Sequence, residues 1–224
     1  MRVIVIASWL GEIAASCGAT DVHVVPNGLD HSRFRVLTEP EARPVSILAL
    51  FHTDERKGIS VALDTLSEVH RLHPEVPITM FGVARRAARL PDWIRYVQLP
   101  SPDELVGLYN SHSIFLSSSY VEGWCLPAAE AMACGCTFVG TDSNGPREFC
   151  ESGVSALLSD PGDVSALVQN LHRVIVDPSL RREIQKNGTE RIQGFTWERS
   201  GQAFLRLLQD GGDDRQAARR VAAE

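Results

Sequence analysis

The sequence predicts an α/β fold, a doubly wound parallel sheet with helices on both faces, and three observations carry that prediction. From residue 45 onward, short β-branched or apolar runs alternate with segments of helical period. The helical segments run to about 10–15 residues, the length that returns a chain across a parallel sheet. One stretch also joins a buried run to a helix through a tight loop: Ser113-Ile-Phe-Leu116, a serine-rich bend at Ser117-Ser-Ser119, then Glu122-Gly-Trp-Cys-Leu-Pro-Ala-Ala-Glu130. Ligands of such sheets sit beyond the C-terminal strand ends. Loops 51–58, 81–86, 97–102, 117–126 and 140–147 are therefore the candidate ligand surface.

Taken in order, residues 3–7 form a β-branched run read as a buried strand. Ser8 then caps a helix over 8–16, and Gly18 stops it. A second short strand covers 22–25, Pro26-Asn-Gly28 breaks it, and a polar, proline-punctuated linker runs to Pro44. Residues 45–50 form a strand and 58–73 a helix whose Val61, Leu63, Leu66, Val69 and Leu72 recur mostly at threes. Strands follow at 77–81, closed by Gly82, and at 93–99. Ser101 caps a helix over 102–110. After the strand from Ser113, Pro127 suits a first helical position, and Ala128-Ala-Glu-Ala-Met-Ala133 has strong helix propensity. Strands at 137–140 and 156–158 come next, the latter closed by Asp160-Pro-Gly162. Asp163 caps a helix to about Val176, Pro178 starts another, and Thr196 or Trp197 starts a third to about Leu208. Asp210-Gly-Gly-Asp-Asp214 ends the fold, and the Arg/Ala/Glu tail is frayed. The domain boundaries are thus 1–25, a linker 26–44, a main domain 45–209 and a tail 210–224.

Bulk composition narrows the function. At 224 residues a sizeable core is within reach, and 44% apolar with 22% charged residues is ordinary for a globular protein. A net charge of −6, interleaved along the chain, argues against a protein that tracks nucleic-acid phosphates. Cys17, Cys125, Cys134, Cys136 and Cys150 make an odd set without framework spacing, which reads as reduced thiols in a cytoplasm. No run approaches the ~18 apolar residues of a membrane span. Residues 2–7 are too short for a signal peptide. Peripheral association with the inner membrane face stays open.

The two carboxylates carry the chemistry. A strand, tight loop and helix N-terminus aim backbone N–H groups and a positive helix end at one point, which suits a phosphate. Glu130, read in the first helical turn, can accept both hydroxyls of a cis-diol, as acidic residues do for ribose. Glu122 can accept hydroxyls of a second, non-ribose group. The N–H groups of Gly123, Trp124, Cys125 and Leu126 lie between them and can hold a diphosphate. Two blander readings stand beside this one: Glu130 as a charge that complements the helix dipole, and Glu122 as a surface loop charge.

The stretch Glu122-Gly-Trp-Cys-Leu-Pro-Ala-Ala-Glu-Ala-Met-Ala-Cys-Gly135 resembles the E-x7-E segment of the GT-B retaining glycosyltransferases of the family 4, glycosyl transferases group 1 type. Four further segments match in order: Val25-Pro-Asn-Gly-Leu-Asp30, Arg56-Lys-Gly58, Gly-Thr-Asp-Ser-Asn-Gly-Pro-Arg-Glu at 140–148, and Phe195-Thr-Trp-Glu198. Each is weak alone, but five in order at family-like spacing are specific. The resemblance implies a Rossmann-like C-terminal GT-B domain that binds a nucleotide-diphosphate sugar, with residues 2–25 a remnant of the N-terminal domain. It implies Glu130 on the ribose, Glu122 on the donor sugar and reacting face, the 123–126 amides on sugar and phosphate oxygens, and Lys57 on the leaving diphosphate. A fixed cation there would stabilise charge as it develops. Base recognition would fall to backbone near Val97 and Gln98. The family transfers its sugar with retention, generally without a metal or other cofactor, into a polysaccharide, glycolipid or other glycan or lipid acceptor.

Departures from the family pattern qualify this. Family members usually carry an arginine about six residues before the lysine; here that position is Phe51, and His52, Arg56 or nothing takes its place. Arg56 reads either as a phosphate contact or as a solvated surface charge. Cys125 stands where glycine is common; its amide can still donate if the backbone avoids positive φ. No histidine or base accompanies it as a nucleophile, and Cys134 and Cys136 lack a second ligand pair for zinc. The acceptor site, a glycine-rich loop and a histidine of the family's N-terminal domain have no counterpart here. The chain therefore reads as the donor half of a transferase. The alternative is a nucleotide-sugar-binding module, or one half of a split enzyme that needs a partner chain. A sugar-nucleotide epimerase of related architecture would need acid/base groups from both domains, which are not seen.

Overall fold

The computed structural model describes residues 2–85 and 90–221, with side chains through residue 209. Its chain divides into two units: Met1–Asp30 with Phe195–Glu224, and His31–Gly194. In the first, β1 (Arg2–Val5) and β2 (Asp21–Val24) pair in parallel, from Arg2↔Asp21 to Val5↔Val24. They are joined by α1 (Ser8–Ser16). Ser8 does not cap this helix: the extended Ala7 holds the cap position without a side-chain bond, so Ser8 is already helical.

The turn at Pro26-Asn-Gly28 belongs to this same unit. The Leu29 amide donates to the Phe195 carbonyl at 3.1 Å, and Ser200 Oγ to the Pro26 carbonyl at 2.6 Å. The last helix, α7 (Trp197–Val221), runs past the expected stop near Leu208. Gly211 and Gly212, at the expected stop, lie inside this helix at a cost of roughly 1 kcal/mol each. The division between units thus falls at Asp30/His31 and Gly194/Phe195, not at the expected 25, 44 and 209.

The second unit is a six-stranded, all-parallel sheet. Its strands are β3 (Ile47–Leu50), β4 (Ile78–Gly82), β5 (Ile94–Gln98), β6 (Ile114–Ser117), β7 (Thr137–Thr141) and β8 (Leu157–Ser159). They lie in the order β5-β4-β3-β6-β7-β8. The apolar runs are continuous rather than alternating because both faces of the central strands are covered. On one face Ile47, Ala49, Ile78, Met80, Ile114, Leu116 and Val139 join one buried cluster with residues of α2 (Ile59–Leu72) and α5 (Val164–Val176). Of the alternate residues, Phe81 and Phe115 meet Tyr109 of α3 (Pro102–Ser111) edge-on, and Phe138 packs against Phe115 at a tilt. Also packed in this unit are α4 (Leu126–Ala133), beside β6 and β7, and α6 (Pro178–Ile192), beside α4, α5 and β7.

Local signals place these elements. Ser101 accepts from the Glu104 amide while Glu104 accepts from the Ser101 amide, a reciprocal capping box that starts α3. Asp163 accepts from the Ala166 amide at 2.9 Å and starts α5.

Residues 31–44 are not a free linker. Arg43 is buried, and its guanidinium donates to the carbonyls of Thr38, Tyr109 (3.2 Å), His112 (3.2 Å) and Cys134 (2.7 Å). Those bonds rivet the segment to the ends of α3 and α4.

The strand order fixes where a ligand belongs. The chain leaves β3 in one direction, builds β4 and β5, then returns to place β6 on the other side of β3. Between β3 and β6 the direction reverses, so their exit loops diverge and open a crevice, the usual ligand site of such sheets. Those loops are 51–58 and 118–125, which hold the lysine and the first glutamate.

Candidate active site

Asp54 accepts from the Arg56 amide at 2.9 Å and starts a single 3-10 turn, Glu55–Lys57. Gly58 ends it with φ +62, the left-handed region, and leads into α2. A Cβ at Gly58 would stand 2.0 Å from the Ser118 carbonyl oxygen, so only glycine lets the lysine loop lie this close to the exit of β6. The loops are stitched together by Tyr120 N–H to the Arg56 carbonyl, 2.7 Å, and Ser118 Oγ to the Gly58 carbonyl, 2.9 Å.

That stitching delivers Lys57 to Glu122. Lys57 Nζ donates to Glu122 Oε1 and Oε2 at 2.8 and 2.9 Å, and Ser119 Oγ donates to Oε1 at 2.7 Å. A carboxylate offers about four lone-pair sites and an ammonium three N–H donors. Three of the former and two of the latter are used within the cluster. One acceptor direction and one donor direction stay open for a ligand. Glu122 is only 8% exposed, so it is not a surface loop charge. Its backbone is held too: the Glu122 amide donates to the Ser143 carbonyl at 2.9 Å. A Cβ at Gly145 would meet the Glu122 carbonyl oxygen and Trp124 backbone at 2.8 Å, which explains the glycine in the 140–148 loop.

The turn into α4 departs from expectation in two ways. Cys125 adopts φ +76, the conformation its position would lend to glycine, so the proviso of a negative φ fails and a thiol residue bears the strain. The helix begins at Leu126 with Pro127 second, and no side chain caps it. Glu130 therefore sits in the second turn rather than the first, which weakens the reading of it as a dipole-compensating charge. The Trp124 ring is buried against Phe149, at 4.8 Å between centroids, so that side chain serves packing. The Cys125 thiol is pushed up to about 12 by burial, which keeps it un-ionised and inert.

Glu130 meets a different environment. Tyr109 Oη donates to its Oε2 at 3.0 Å. Burial pushes the Glu130 carboxyl up to about 7, and the tyrosine bond opposes that rise. It is poised to titrate near neutrality, whereas Glu122 sits beside a cation.

Several expected contacts are not brought together. Arg56 is held by Asp54, with Nη2 to Oδ2 at 2.6 Å and a side chain 73% exposed, which favours the solvated-charge reading. The same pairing lowers the Asp54 carboxyl to about 2. Phe51 is buried edge-on against Tyr96, so the position of the family arginine faces the core. His52 is exposed and accepts from the Asp54 amide at 3.0 Å. Val97 and Gln98 end β5, the edge strand. They share the C-terminal edge with Glu122 but stand three strand spacings from β6, about 14 Å.

Sequence reasoning missed Ser119 and Tyr109. The serine-rich bend flagged the first without naming its role; the second needed the register of α3 against α4. Among the described residues no cluster of three or more His, Cys, Asp or Glu is arranged to hold a metal ion. No helix among them is long and apolar enough to cross a membrane.

With this geometry in view, comparison with known proteins is informative. The family model described as Glycosyl transferases group 1 matches residues 35–191. A D-inositol 3-phosphate glycosyltransferase from Corynebacterium jeikeium is 27% identical over 89% of this chain and 54% of its own length. Glycogen synthase from Mycobacterium tuberculosis is 24% identical over 81% of this chain and 46% of its own. The sucrose-phosphate synthase structure from Thermosynechococcus elongatus superposes with a TM-score of 0.81 at 24% identity, covering 95% of this chain and 59% of that one. Anabaena Alr3699/HepE in complex with UDP and glucose gives 0.80 at 18% identity, over 93% and 62%. These structures share the GT-B fold; the chain spans about half the length of the curated relatives it matches.

Proposed function

The chain belongs to the glycosyl transferases group 1 family, and on that premise we propose that its sheet unit binds the donor of a retaining glycosyltransferase, a nucleoside diphosphate carrying a sugar. One observation carries the reading. Lys57 and Glu122 meet at 2.8 Å in the crevice between β3 and β6, and the uncapped start of α4 at Leu126 follows four residues after Glu122. Lys57 and the helix end stabilise the departing diphosphate. Glu122 accepts a donor-sugar hydroxyl with its open lone pair, and Glu130 accepts the ribose hydroxyls. The amides of Gly123, Trp124 and Leu126 take sugar and phosphate oxygens, and the backbone of Val97 and Gln98 reads the base. The leaving-group charge is assigned to Lys57 and the amides, and no metal or cofactor is assigned. The acceptor class is a surface glycan, glycolipid or other glycoconjugate. The compartment is the cytoplasm, at the inner membrane face where the acceptor is a lipid.

A second reading is favoured by coverage: the chain matches about half of its relatives' length. In that reading the chain binds the nucleotide sugar and transfers nothing until an acceptor-binding domain or partner chain joins it. Calorimetry with UDP-, GDP-, ADP- and dTDP-sugars, followed by a turnover assay on the same sample, separates the two. Binding of one donor with measurable transfer or hydrolysis supports the enzyme. Binding alone supports the module. No binding of any donor defeats both.

A further inference from the structure

We propose that Tyr109 is a positioning residue for Glu130: its buried hydroxyl orients the carboxylate toward the ribose hydroxyls and favours its accepting form. This rests on the ribose reading of Glu130. The geometry is specific. Tyr109 is fully buried, ringed edge-on by Phe34, Phe81 and Phe115 at centroid distances of 6.2, 6.0 and 5.8 Å. Its ring therefore has one orientation, and its hydroxyl ends 3.0 Å from Glu130 Oε2. A phenol in apolar surroundings needs a hydrogen-bond partner, and a carboxylate accepting from it is held at one oxygen while the other stays free. Tyr109 lies on α3 and Glu130 on α4, so the bond also ties those helices together at the site.

The consequence is electrostatic as well as geometric. Glu130 is pushed up by burial, and the donated hydrogen bond counters that push. Tyr109 itself stays protonated, since burial and the neighbouring Glu130 both raise it, so it donates at every pH where the protein is folded. Among the described residues, the Cys134 thiol also faces this carboxylate, raised to about 12 by burial and so neutral in the working range. A protonated Glu130 would present an O–H where a ribose hydroxyl also presents one. Donor affinity should accordingly rise with pH through about 7.

The test uses the full chain, UDP, GDP and ADP as probes, and pH values across the neutral range. Carboxyl 13C NMR of Glu130 in the free protein supplies a readout independent of any ligand. In Tyr109→Phe the Glu130 titration should move up by about one pH unit, since a hydrogen bond to a charged group is worth at least that much. Affinity for the best-bound nucleotide should fall about tenfold at pH 6.5 and recover toward wild type at pH 9. Site-specific 3-fluorotyrosine at 109, a stronger donor of nearly the same shape, should move the titration down; it serves if the Phe variant does not fold. Glu130→Gln should bind weakly with no pH dependence. If Glu130→Gln binds like wild type, the ribose reading of Glu130 fails. If Glu130→Gln weakens binding but neither Tyr109 change moves the carboxyl titration, the tyrosine proposal alone is overturned.

Discussion

Glu122 faces an ammonium and a serine hydroxyl in a cluster that is nearly saturated, whereas Glu130, eight residues on, faces one phenol and little else. The first has its counter-charge built in, Lys57 Nζ at 2.8 Å. The second lies in a shell that favours neutrality and is held near 7. The same residue type, on the same loop and helix, is thus set for two tasks by what surrounds it. On the proposed reading, the end at Glu122 and Lys57 faces the diphosphate and its leaving group. On the proposed reading, the end at Glu130 offers an adjustable acceptor to the neutral ribose hydroxyls.

The comparison breaks most completely at Gly58. Any Cβ there would meet the Ser118 carbonyl oxygen at 2.0 Å, and the residue already holds a positive φ. Gly58→Ala must push the lysine loop off the end of β6, which separates Lys57 from Glu122 while leaving Tyr109 and Glu130 in place. We expect a loss of about 3 kcal/mol in urea unfolding and loss of diphosphate binding. An Ala variant with wild-type stability would show that the loop does not depend on this close approach.

Next in size is the ion pair itself. The Lys57 side chain is 27% exposed and that of Glu122 9%, between the surface and buried limits. Lys57→Met should cost about 2 kcal/mol, more than an exposed pair and less than a fully buried one. Removing the stranded charge in Lys57→Met/Glu122→Gln should restore most of that stability without restoring affinity. Affinity for a nucleoside diphosphate should fall by about 1.5–3 kcal/mol while affinity for the nucleoside holds. Equal losses for both ligands would take Lys57 off the phosphate.

The two ends also differ in how far they could be read from the sequence. The Lys57 end was legible: Arg56-Lys-Gly58 follows a clear strand. The E-x7-E stretch likewise sits on an unmistakable strand-to-helix junction. What escaped reading lies across the fold rather than along it. Tyr109 touches Glu130 only because α3 and α4 pack side by side, and helical periodicity carries no information about which neighbour a helix meets. Arg43 hides in a polar, proline-rich segment that reads as linker. Three of its four carbonyl partners stand 66 to 91 residues away, so no local signal marks it as buried. The positive φ of Cys125 went unread for a related reason: the tight turn dictates it, and a cysteine does not advertise it.

The smallest effect should come from the residue that looks most like a phosphate contact in the sequence. Arg56 precedes Lys57, yet its guanidinium makes a bidentate pair with Asp54 and its side chain is mostly in water. Exposed pairs of this kind contribute about 0–1 kcal/mol. What shapes the 3-10 turn is the bond from the Arg56 amide to Asp54, which any residue except proline can supply. Arg56→Ala should therefore leave both stability and nucleotide affinity within about 0.5 kcal/mol of wild type, measured by urea unfolding and calorimetry. Asp54→Ala should cost more, because it removes the acceptor that starts the turn presenting Lys57. If Arg56→Ala instead lowered diphosphate affinity as much as Lys57→Met, the guanidinium would have to leave Asp54 when the donor binds. The Lys57 end would then carry two cations in place of the one seen beside Glu122.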